Sequence, residues 1–250
     1  MGFTNLHTHS HYSLFDSISK IPDIVKRAKE MGQTAVGLSD HGTVTGLLDF
    51  YKECKKQSIK PILGVEAYWC PHLGVKDRKL MYHVCIYAKN YEGYKGILKL
   101  VTKSYENQYY KPRVNTEMIE ELAGNVIVTS ACMGGILSHD LENAVLFKKI
   151  FKDDFYLEIH TNSMPEQIEY NQKVIELSVG FDIPMIAACD AHYIYKEDAS
   201  THRAWKGIGE DDENEYYQTD DFYLLSMEEA IAAFQKQGLQ EPYVYRAISN

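Results

Sequence analysis

The clearest indication of the fold lies at residues 155–192, FYLEIHTNSMPEQIEYNQKVIELSVGFDIPMIAACDAH. This stretch begins with an apolar, strand-like run at residues 155–160, continues with a helical periodicity at 166–181, and ends in a second strand-like run at 183–192. A strand, a helix and a strand in this order are typical of a parallel βαβ unit. The stretch therefore predicts an α/β protein.

The same alternation recurs along most of the chain. Five more strand-like runs are predicted, at residues 3–9, 34–41, 60–69, 82–89 and 125–132. Helical patterns are predicted at residues 21–31 after a Ser19 cap, 44–57, 91–106, 117–122 and 141–151. Seven strands with intervening helices favour a barrel, which we expect to span residues 1–195.

The alternation stops after residue 193. Beyond it lie an acidic run at residues 210–215 (EDDENE), an aromatic segment at 216–223 and a helical pattern at 227–237. We expect residues 196–250 to form an extension that packs on the barrel. Residues 245–250 look like a helix that is cut short, so the extension is expected to lead into further domains or to be truncated there.

Composition and charge exclude several classes of protein. The hydrophobic share of 45% and the charged share of 24% are globular averages, and no apolar run approaches the roughly 18 residues of a membrane span. No signal-peptide pattern precedes the first strand. The 5 cysteines, odd in number and widely spaced, indicate reduced thiols and a cytoplasmic location. A net charge of -9 argues against a protein that coats a nucleic-acid backbone by itself.

Residues of metal-ligand type stand at or near the ends of the predicted strands. In parallel α/β architectures, functional groups gather where strands end and loops begin. The residues at these positions are His7, His9, His41, Glu66, His83, Cys132, His160, Asp190 and His192. This combination predicts a metal site. Imidazole, carboxylate and thiolate together suit zinc, with manganese or iron as alternatives.

Two pairs have a spacing that lets both side chains point at one place. Side chains along a strand alternate between faces with a period of two. His7 and His9 therefore share a face, and so do Asp190 and His192. Any one of these residues alone is more often a packed core residue, and the combination of both pairs with the other strand ends is what indicates a metal.

Two choices between nearby residues are open from the pattern. Asp40 and His41 are adjacent and should point to opposite sides, so His41 is the expected ligand and Asp40 a carboxylate that orients a neighbouring imidazole. The stretch from His11 to Asp16 loops back behind the first strand, and either of these two residues could supply a further ligand. Spacing alone does not choose between them.

Six short motifs resemble a known family. Three resemble the polymerase and histidinol phosphatase (PHP) domain, namely LHTHSHYSLFD at residues 6–16, LSDHG at 38–42 and CDAHY at 189–193. Three more resemble the N-terminal PHP domain of bacterial DNA polymerase III alpha subunits, namely GVEAY at 64–68, KPR at 111–113 and TDDFY at 219–223. The resemblance spans nearly the whole chain. It implies a distorted, TIM-like (β/α)7 barrel with three divalent metal ions at the C-terminal ends of the strands.

The resemblance also implies how the ligands are divided, and it favours Asp16 over His11. One metal would be held by His7, His9, Glu66 and Asp190. Glu66 would bridge to a second metal held by His83 and Cys132, and the third would be held by Asp16, His41 and His192. All of these positions carry a residue able to bind a metal, which favours a working site.

The chemistry that the resemblance implies is metal-dependent hydrolysis of a phosphate ester. Three divalent ions outweigh the carboxylates and the thiolate of the site, so the pocket would attract phosphate although the protein is acidic. Lys111 and Arg113 are the predicted phosphate contacts, and Asp40 is counted with the catalytic residues. His160 departs from the glutamine or other polar residue of polymerase-type relatives. It would face the substrate or assist proton transfer, or it is a surface histidine. The acidic run at residues 210–215 is a second departure, and it argues against a DNA contact near the tail.

Three functions fit these expectations. The polymerase-type resemblance implies a 3′–5′ exonuclease that acts on a DNA 3′ end and serves proofreading in DNA replication. The histidinol phosphatase branch implies a stand-alone phosphatase acting on a small phosphomonoester. The third function is a structural module that uses its metals for stability and packs against polymerase domains or a proofreading subunit.

Overall fold

A computed structural model describes residues 2–209 and 219–250 of the chain. Within these residues a seven-stranded sheet is flanked by helices. The strands are β1 Ala35–Leu38, β2 Lys60–Trp69, β3 Tyr82–Ala88, β4 Arg113–Val114, β5 Val126–Thr129, β6 Phe155–His160 and β7 Met185–Ala188. The helices are α1 Ile21–Glu30, α2 Leu47–Gln57, α3 Tyr91–Glu106, α4 Thr116–Glu120, α5 Ile136–His139, α6 Asn143–Phe151, α7 Pro165–Phe181, α8 Ala199–Gly209, α9 Met227–Lys236 and α10 Glu241–Ser249. The α/β prediction is confirmed.

The N-terminal segment closes this sheet into a barrel. The strands follow the order β1-β2-β3-β5-β6-β7, and β4 pairs with β2 outside this path. The segment before α1 lies between the two ends of the path, because Thr8 bridges Ala191 after β7. On its other side, the Gly37 amide donates to the Asn5 carbonyl at 2.7 Å, and the Ser39 amide donates to the Thr8 carbonyl at 2.9 Å. The chain is a distorted (β/α)7 barrel, as expected.

The segment itself is not a regular strand, which differs from the prediction of a strand at residues 3–9. Isolated hydrogen bonds hold it in place of a continuous ladder. A Cβ atom at Gly37 would clash with the carbonyl oxygen of Leu6. The segment can therefore lie against β1 only because residue 37 has no side chain.

One strand, β3, is antiparallel to both of its neighbours in the sheet. β3 pairs antiparallel with both β2 and β5, whereas the pairs β1–β2, β5–β6 and β6–β7 are parallel. The expected parallel sheet is wrong for β3, because residues 70–81 contain only the 3-10 turn Arg78–Leu80 and no crossover helix. The reversal brings the start of β3 to the end of the barrel where the parallel strands finish.

The other predicted elements keep their places but differ at their ends. β1 and β7 stop at Leu38 and Ala188, so the ligand-type residues predicted at the ends of these strands lie in loops. Ser19 does not cap α1, because Lys20 is the N-cap residue and makes no side-chain capping bond. Proline in the first turn preorganises this helix start.

The C-terminal extension shares the apolar core of the barrel. Phe234 of α9 and Ala247 of α10 belong to the same buried cluster as Phe155 of β6. The side-chain amide of Asn250 donates to the carbonyl oxygen of Met185 in β7 at 2.9 Å. The helices of the extension thus pack on the barrel. The acidic run at 210–215 and residues 216–218 lie outside the described residues.

The five cysteines are free and buried. Of the helices in residues 2–209 and 219–250, none combines the length and the apolar character needed to cross a membrane.

Replacement of Phe234 tests whether the extension is part of the folding unit. The side chain is fully buried, so Phe234→Ala is expected to lower the free energy of unfolding by about 3–5 kcal/mol. Phe181→Ala is the matched control, because that ring is 52% exposed and its loss should change stability little. Urea unfolding followed by far-UV circular dichroism measures both. Wild-type stability of Phe234→Ala would contradict the shared core.

Candidate metal centre

The nine predicted ligands meet at one end of the barrel. They come from the N-terminal segment, from the loops after β1, β5 and β7, from the middle of β2 and from the start of β3. These residues are His7, His9, Asp16, His41, Glu66, His83, Cys132, Asp190 and His192. The reversal of β3 explains how His83, near the start of its strand, joins residues that follow the ends of other strands.

The two spaced pairs face each other across the Thr8–Ala191 bridge. The His9 amide donates to the Ala191 carbonyl at 2.9 Å, and the Ala191 amide donates to the His7 carbonyl at 3.1 Å. Residues on either side of Thr8 and Ala191 therefore project to the same side. The Nε2 atoms of His7 and His9 lie 3.3 and 3.2 Å from Oδ1 of Asp190. Asp190 lies in the loop after β7 and has a left-handed backbone, with a φ of 51°, so the position of its carboxylate depends on this turn as well as on the bridge.

Glu66 lies at the centre of the cluster. Its Oε2 atom is 3.2 Å from Nε2 of His7 and 3.1 Å from Nε2 of His9. Its Oε1 atom is 3.0 Å from Nδ1 of His83, on the side where Sγ of Cys132 lies 3.5 Å from the same nitrogen. The two oxygens thus serve different groups of ligands, as a bridging carboxylate would.

Asp16 completes a third group. Its Oδ2 atom is 2.8 Å from Nε2 of His41 and 3.0 Å from Nε2 of His192. The other ring nitrogen of His41, Nδ1, is 3.0 Å from Oε2 of Glu66, which joins this group to the centre. His11 is exposed and its ring faces away from the cluster to a loop carbonyl. The structure therefore brings Asp16, and not His11, to the site.

Two buried atoms of the cluster fit a bound cation. Nδ1 of His41 and Oε2 of Glu66 are shielded from solvent and lie 3.0 Å apart, but neither makes a contact with hydrogen-bond geometry in the part of the chain that the structure describes. Buried polar atoms are seldom left in this state, and a metal ion would satisfy both. The donor set of imidazoles, carboxylates and one thiol suits divalent metals.

Charge pairing dominates the electrostatics of the cluster. Burial disfavours a charge on His41, but the carboxylates of Glu66 and Asp16 outweigh burial and raise the pKa of His41 to about 9. Burial likewise opposes the charge on Glu66, but His83, His41 and His7 hold the pKa of that carboxyl well below its usual range. The carboxylates are therefore charged, and protons sit on imidazoles where a metal ion would replace them.

Asp40 does not face the ligand atoms, which corrects its place among the catalytic residues. Its carboxylate accepts a hydrogen bond from the Ser10 amide at 2.7 Å and another from the Ser13 hydroxyl at 2.8 Å. The same hydroxyl lies 3.2 Å from Nδ1 of His9. Asp40 thus orients an imidazole, but through Ser13, and it anchors the N-terminal loop.

Glu158 is a site residue that the sequence reasoning missed. Its Oε2 atom is 2.8 Å from Nδ1 of His7 and 3.0 Å from Nε2 of His160, and the Thr129 hydroxyl donates to its other oxygen. Burial opposes its charge, but His7 and His160 outweigh burial and lower the pKa of the carboxyl to about 2. The signal was present, because Glu158 and His160 have the same i, i+2 spacing as the two recognised pairs.

Burial decides two of the remaining predictions, those for His160 and Arg113. His160 is fully buried, so it is not a surface histidine. Arg113 is 3% exposed, and its guanidinium donates to the Leu73 carbonyl at 2.8 Å and to other loop carbonyls. It holds the loop at residues 70–81 and is not free to contact phosphate, so that prediction is wrong. Lys111 is exposed at the rim, with Nζ 5.4 Å from the ring centre of Tyr68.

The C-terminal extension reaches the site through α8, which the sequence reasoning also missed. Nζ of Lys206 lies 2.7 Å from Oδ1 of Asp16. Nε2 of His202, one turn earlier on the helix, donates to the Asp16 carbonyl at 2.6 Å. Asp16 is thus held on its outer side by α8 while its Oδ2 atom faces the imidazoles.

The chain is similar to a known domain family and to curated proteins. The PHP domain model matches residues 5–162. The DNA polymerase III subunit alpha of Borreliella burgdorferi is 39% identical over 252 residues, which cover 93% of this chain and 22% of that protein. The same subunit of Campylobacter jejuni is 35% identical over 259 residues, with the same coverage. The chain thus spans about a fifth of the length of the curated relatives it matches.

Two solved structures share the fold at low identity. One is a Bifidobacterium adolescentis protein assigned to the metal-dependent phosphoesterases, with a TM-score of 0.51 and 14% identity. The other is an amidohydrolase of Chromobacterium violaceum solved with sulfate, with a TM-score of 0.50 and 13% identity. Each comparison covers 76% of this chain and 87% of the other.

Removal of the charge on Glu158 tests its support of His7. Glu158→Gln is expected to weaken zinc or manganese binding by about 10–100-fold, because the hydrogen bond that orients the imidazole loses its ionic partner. Competition with a metal indicator measures the affinity, and unfolding of the metal-free variant reports the fold. Glu176→Gln, on the exposed face of α7, is the control. Unchanged metal affinity in a folded Glu158→Gln protein would refute this role.

Metal binding should depend on pH with a definite sign. His41 has a raised pKa of about 9, so the metal-free protein carries a proton there at neutral pH that a metal must displace. Affinity should rise between pH 6.5 and pH 8.5, by about tenfold per pH unit for each proton displaced. Calorimetry in buffers of different ionisation enthalpy measures the protons released. His11→Asn should keep the same slope, and an affinity that does not vary with pH would contradict the proton competition.

Proposed function

Because the chain belongs to the PHP domain family, we propose that it is a metal-dependent phosphoesterase that removes nucleotides from a single-stranded DNA 3′ end. The observation that carries this proposal is the position of Glu66 between three groups of ligands. A centre that joins several divalent ions suits phosphoester hydrolysis, since closely spaced ions can stabilise both the attacking and the leaving oxygen.

Three sets of residues would hold the ions. They are His7, His9, Glu66 and Asp190 for the first; Glu66, His83 and Cys132 for the second; and Asp16, His41 and His192 for the third. Divalent ions there, zinc, manganese or iron(II), would supply Lewis acidity and lower the pKa of a water molecule to about 7.

The surrounding residues would hold the ligand side chains in position and bind the substrate. Glu158 fixes one ring nitrogen of His7, so that the other faces the centre. Lys206 holds the outer oxygen of Asp16 and leaves the inner one toward the imidazoles. Lys111 supplies a cation at the rim, where it can pair with a phosphate of the incoming chain.

The DNA substrate is inferred from the relatives, which are DNA polymerase III alpha subunits. We therefore infer a role in proofreading during DNA replication, in the cytoplasm, with the remaining polymerase domains or a proofreading subunit as partners. A small phosphomonoester is the alternative substrate of the same centre, by analogy with the histidinol phosphatase branch.

One observation favours a structural role as the second candidate. His7, His9 and Glu66 are fully buried, or nearly so, and a metal ion held there would contribute directly to folding stability. In that case the chain would bind metals without hydrolysing an ester, and it would serve as a packing module for the polymerase.

Asp190→Asn tests the proposed function, because it keeps the size of the side chain and tolerance of a left-handed backbone. Loss of this ligand should reduce mononucleotide release from single-stranded DNA by about a thousandfold, and it should lower the metal content. Asp182→Asn is the matched control, since Asp182 is also left-handed, with a φ of 50°, but precedes β7 at the opposite end of the barrel.

Three outcomes separate the candidates. Wild-type protein with manganese or zinc is offered single-stranded DNA and histidinol phosphate in parallel. Mononucleotide release supports the exonuclease, whereas phosphate release from the small ester alone supports the phosphatase. Neither activity with metal still bound leaves the structural role. Full activity of Asp190→Asn would refute the assignment of the site.

A further inference from the structure

A row of aromatic and basic side chains borders the metal centre on the side of β2 and β4. It consists of Tyr68, Lys111, Tyr110 and Arg78, which we call the tyrosine rim. The rim begins at the ligands, because the Tyr68 ring stacks on His41 with centroids 5.7 Å apart.

Successive contacts carry the rim outward from the centre. The Tyr68 ring is also 5.4 Å from the ring of His83, and Nζ of Lys111 lies 5.4 Å from the Tyr68 ring centre. Tyr110 is next to Lys111 in the chain, and Cζ of Arg78 lies 3.1 Å from the Tyr110 ring centre. Two loops that are distant in sequence thus meet beside the centre, where the buried ring of Tyr68 contacts Lys111 and the exposed ring of Tyr110 contacts Arg78.

The backbone at Tyr110 presents its ring to solvent. The amide of Tyr109 donates to the Lys111 carbonyl at 3.1 Å, and the amide of Lys111 donates to the Tyr109 carbonyl at 2.8 Å. This tight turn places Tyr110 at its tip with a φ of 60° and leaves the side chain 55% exposed. A left-handed backbone is unfavourable for a bulky residue, and strain of this kind is concentrated at binding sites.

The rim and the adjoining loop at residues 70–81 are rich in cations although the protein is acidic. Lys76, Arg78 and Lys79 are exposed in the loop at residues 70–81, and Lys111 is exposed beside them. The acidic residue among them, Asp77, accepts a hydrogen bond from the backbone amide of Lys79 at 2.9 Å. These cations stand out on a chain whose formal net charge is -9.

We propose that the tyrosine rim is the track on which a single-stranded nucleic acid lies as its end enters the metal centre. Aromatic rings that stack bases, interleaved with cations that pair with phosphates, are the elements of sequence-independent single-strand binding. A base stacks on the ring of Tyr110, and Arg78 and Lys111 neutralise the adjoining phosphates. This inference rests on the proposed function and adds where the substrate strand lies, because Tyr68 and Lys111 stand between the ligands and the Tyr110–Arg78 pair.

Oligonucleotide binding tests the track separately from hydrolysis. A fluorescein-labelled oligothymidylate with phosphorothioate linkages is titrated with manganese-loaded protein, and fluorescence anisotropy gives the affinity. Tyr110→Ala should weaken binding by about tenfold. Arg78→Ala should reduce the slope of log affinity against log salt concentration by about 0.7, because one phosphate contact is lost. A variant that had merely lost its fold would lose affinity at every salt concentration, so a reduced slope reports the lost phosphate contact.

Tyr91→Ala is the matched control. Tyr91 is 69% exposed and Nζ of Lys95 lies 5.0 Å from its ring centre, so it is also an exposed tyrosine beside a cation. It starts α3, directly after the reversed β3, and therefore lies at the end of the barrel opposite the metal centre. Its variant should bind the oligonucleotide like the wild type.

Hydrolysis distinguishes failure of the track from failure of the proposed function. Tyr110→Ala and Arg78→Ala should raise KM for single-stranded DNA, leave kcat unchanged, and hydrolyse bis(p-nitrophenyl) phosphate at wild-type rates. If the chain hydrolyses DNA but both variants bind the oligonucleotide like the wild type, the track is refuted and the proposed function stands. If the chain hydrolyses no ester but Tyr110→Ala weakens oligonucleotide binding, the proposed function fails and the track stands.

Discussion

The buried carboxylate of Glu66 is the interaction on which the rest of the site depends. It has almost no exposure to solvent, and its two oxygens lie about 3 Å from the imidazoles of His7, His9, His41 and His83. A buried charge is costly unless it is paired, so these histidines must converge on Glu66 for the fold to tolerate it. The raised pKa values of His7, His9 and His41 favour protons on these imidazoles, which meet this demand in the metal-free protein, and divalent ions would meet it more fully.

Two irregularities of the barrel follow from this convergence. The N-terminal segment makes only isolated hydrogen bonds with its neighbours, yet it sets His7 and His9 across from the loop after β7. β3 is reversed, which places the start of the strand, and therefore His83, at the ligand end of the barrel. A regular parallel barrel would have carried His83 to the opposite end. The distortion of the fold is thus the geometry that the metal centre needs.

Several residues around the ligands hold the ligand side chains in position. Asp40 acts on His9 through Ser13, and Glu158 acts on His7 directly. The C-terminal extension adds Lys206 against Asp16, so the centre is built by the barrel and the extension together. Outside this support, the tyrosine rim offers cations and aromatic rings on a protein that is otherwise acidic. Under the proposed function, these cations would attract a polyanion locally, and the acidic remainder of the surface would avoid nonspecific coating of nucleic acid.

Local patterns in the amino-acid sequence were enough to predict the α/β class, most element positions and the ligand-type residues, because strand periodicity and the i, i+2 pairs are local properties. Glu158 and His160 have the same spacing, although Glu158 was not among the predicted site residues. The folded chain was needed to reveal the direction of β3, the burial of Arg113 under loop carbonyls and the approach of Lys206 to Asp16. These features depend on contacts between residues far apart in the chain, and such contacts leave no periodic trace in the sequence.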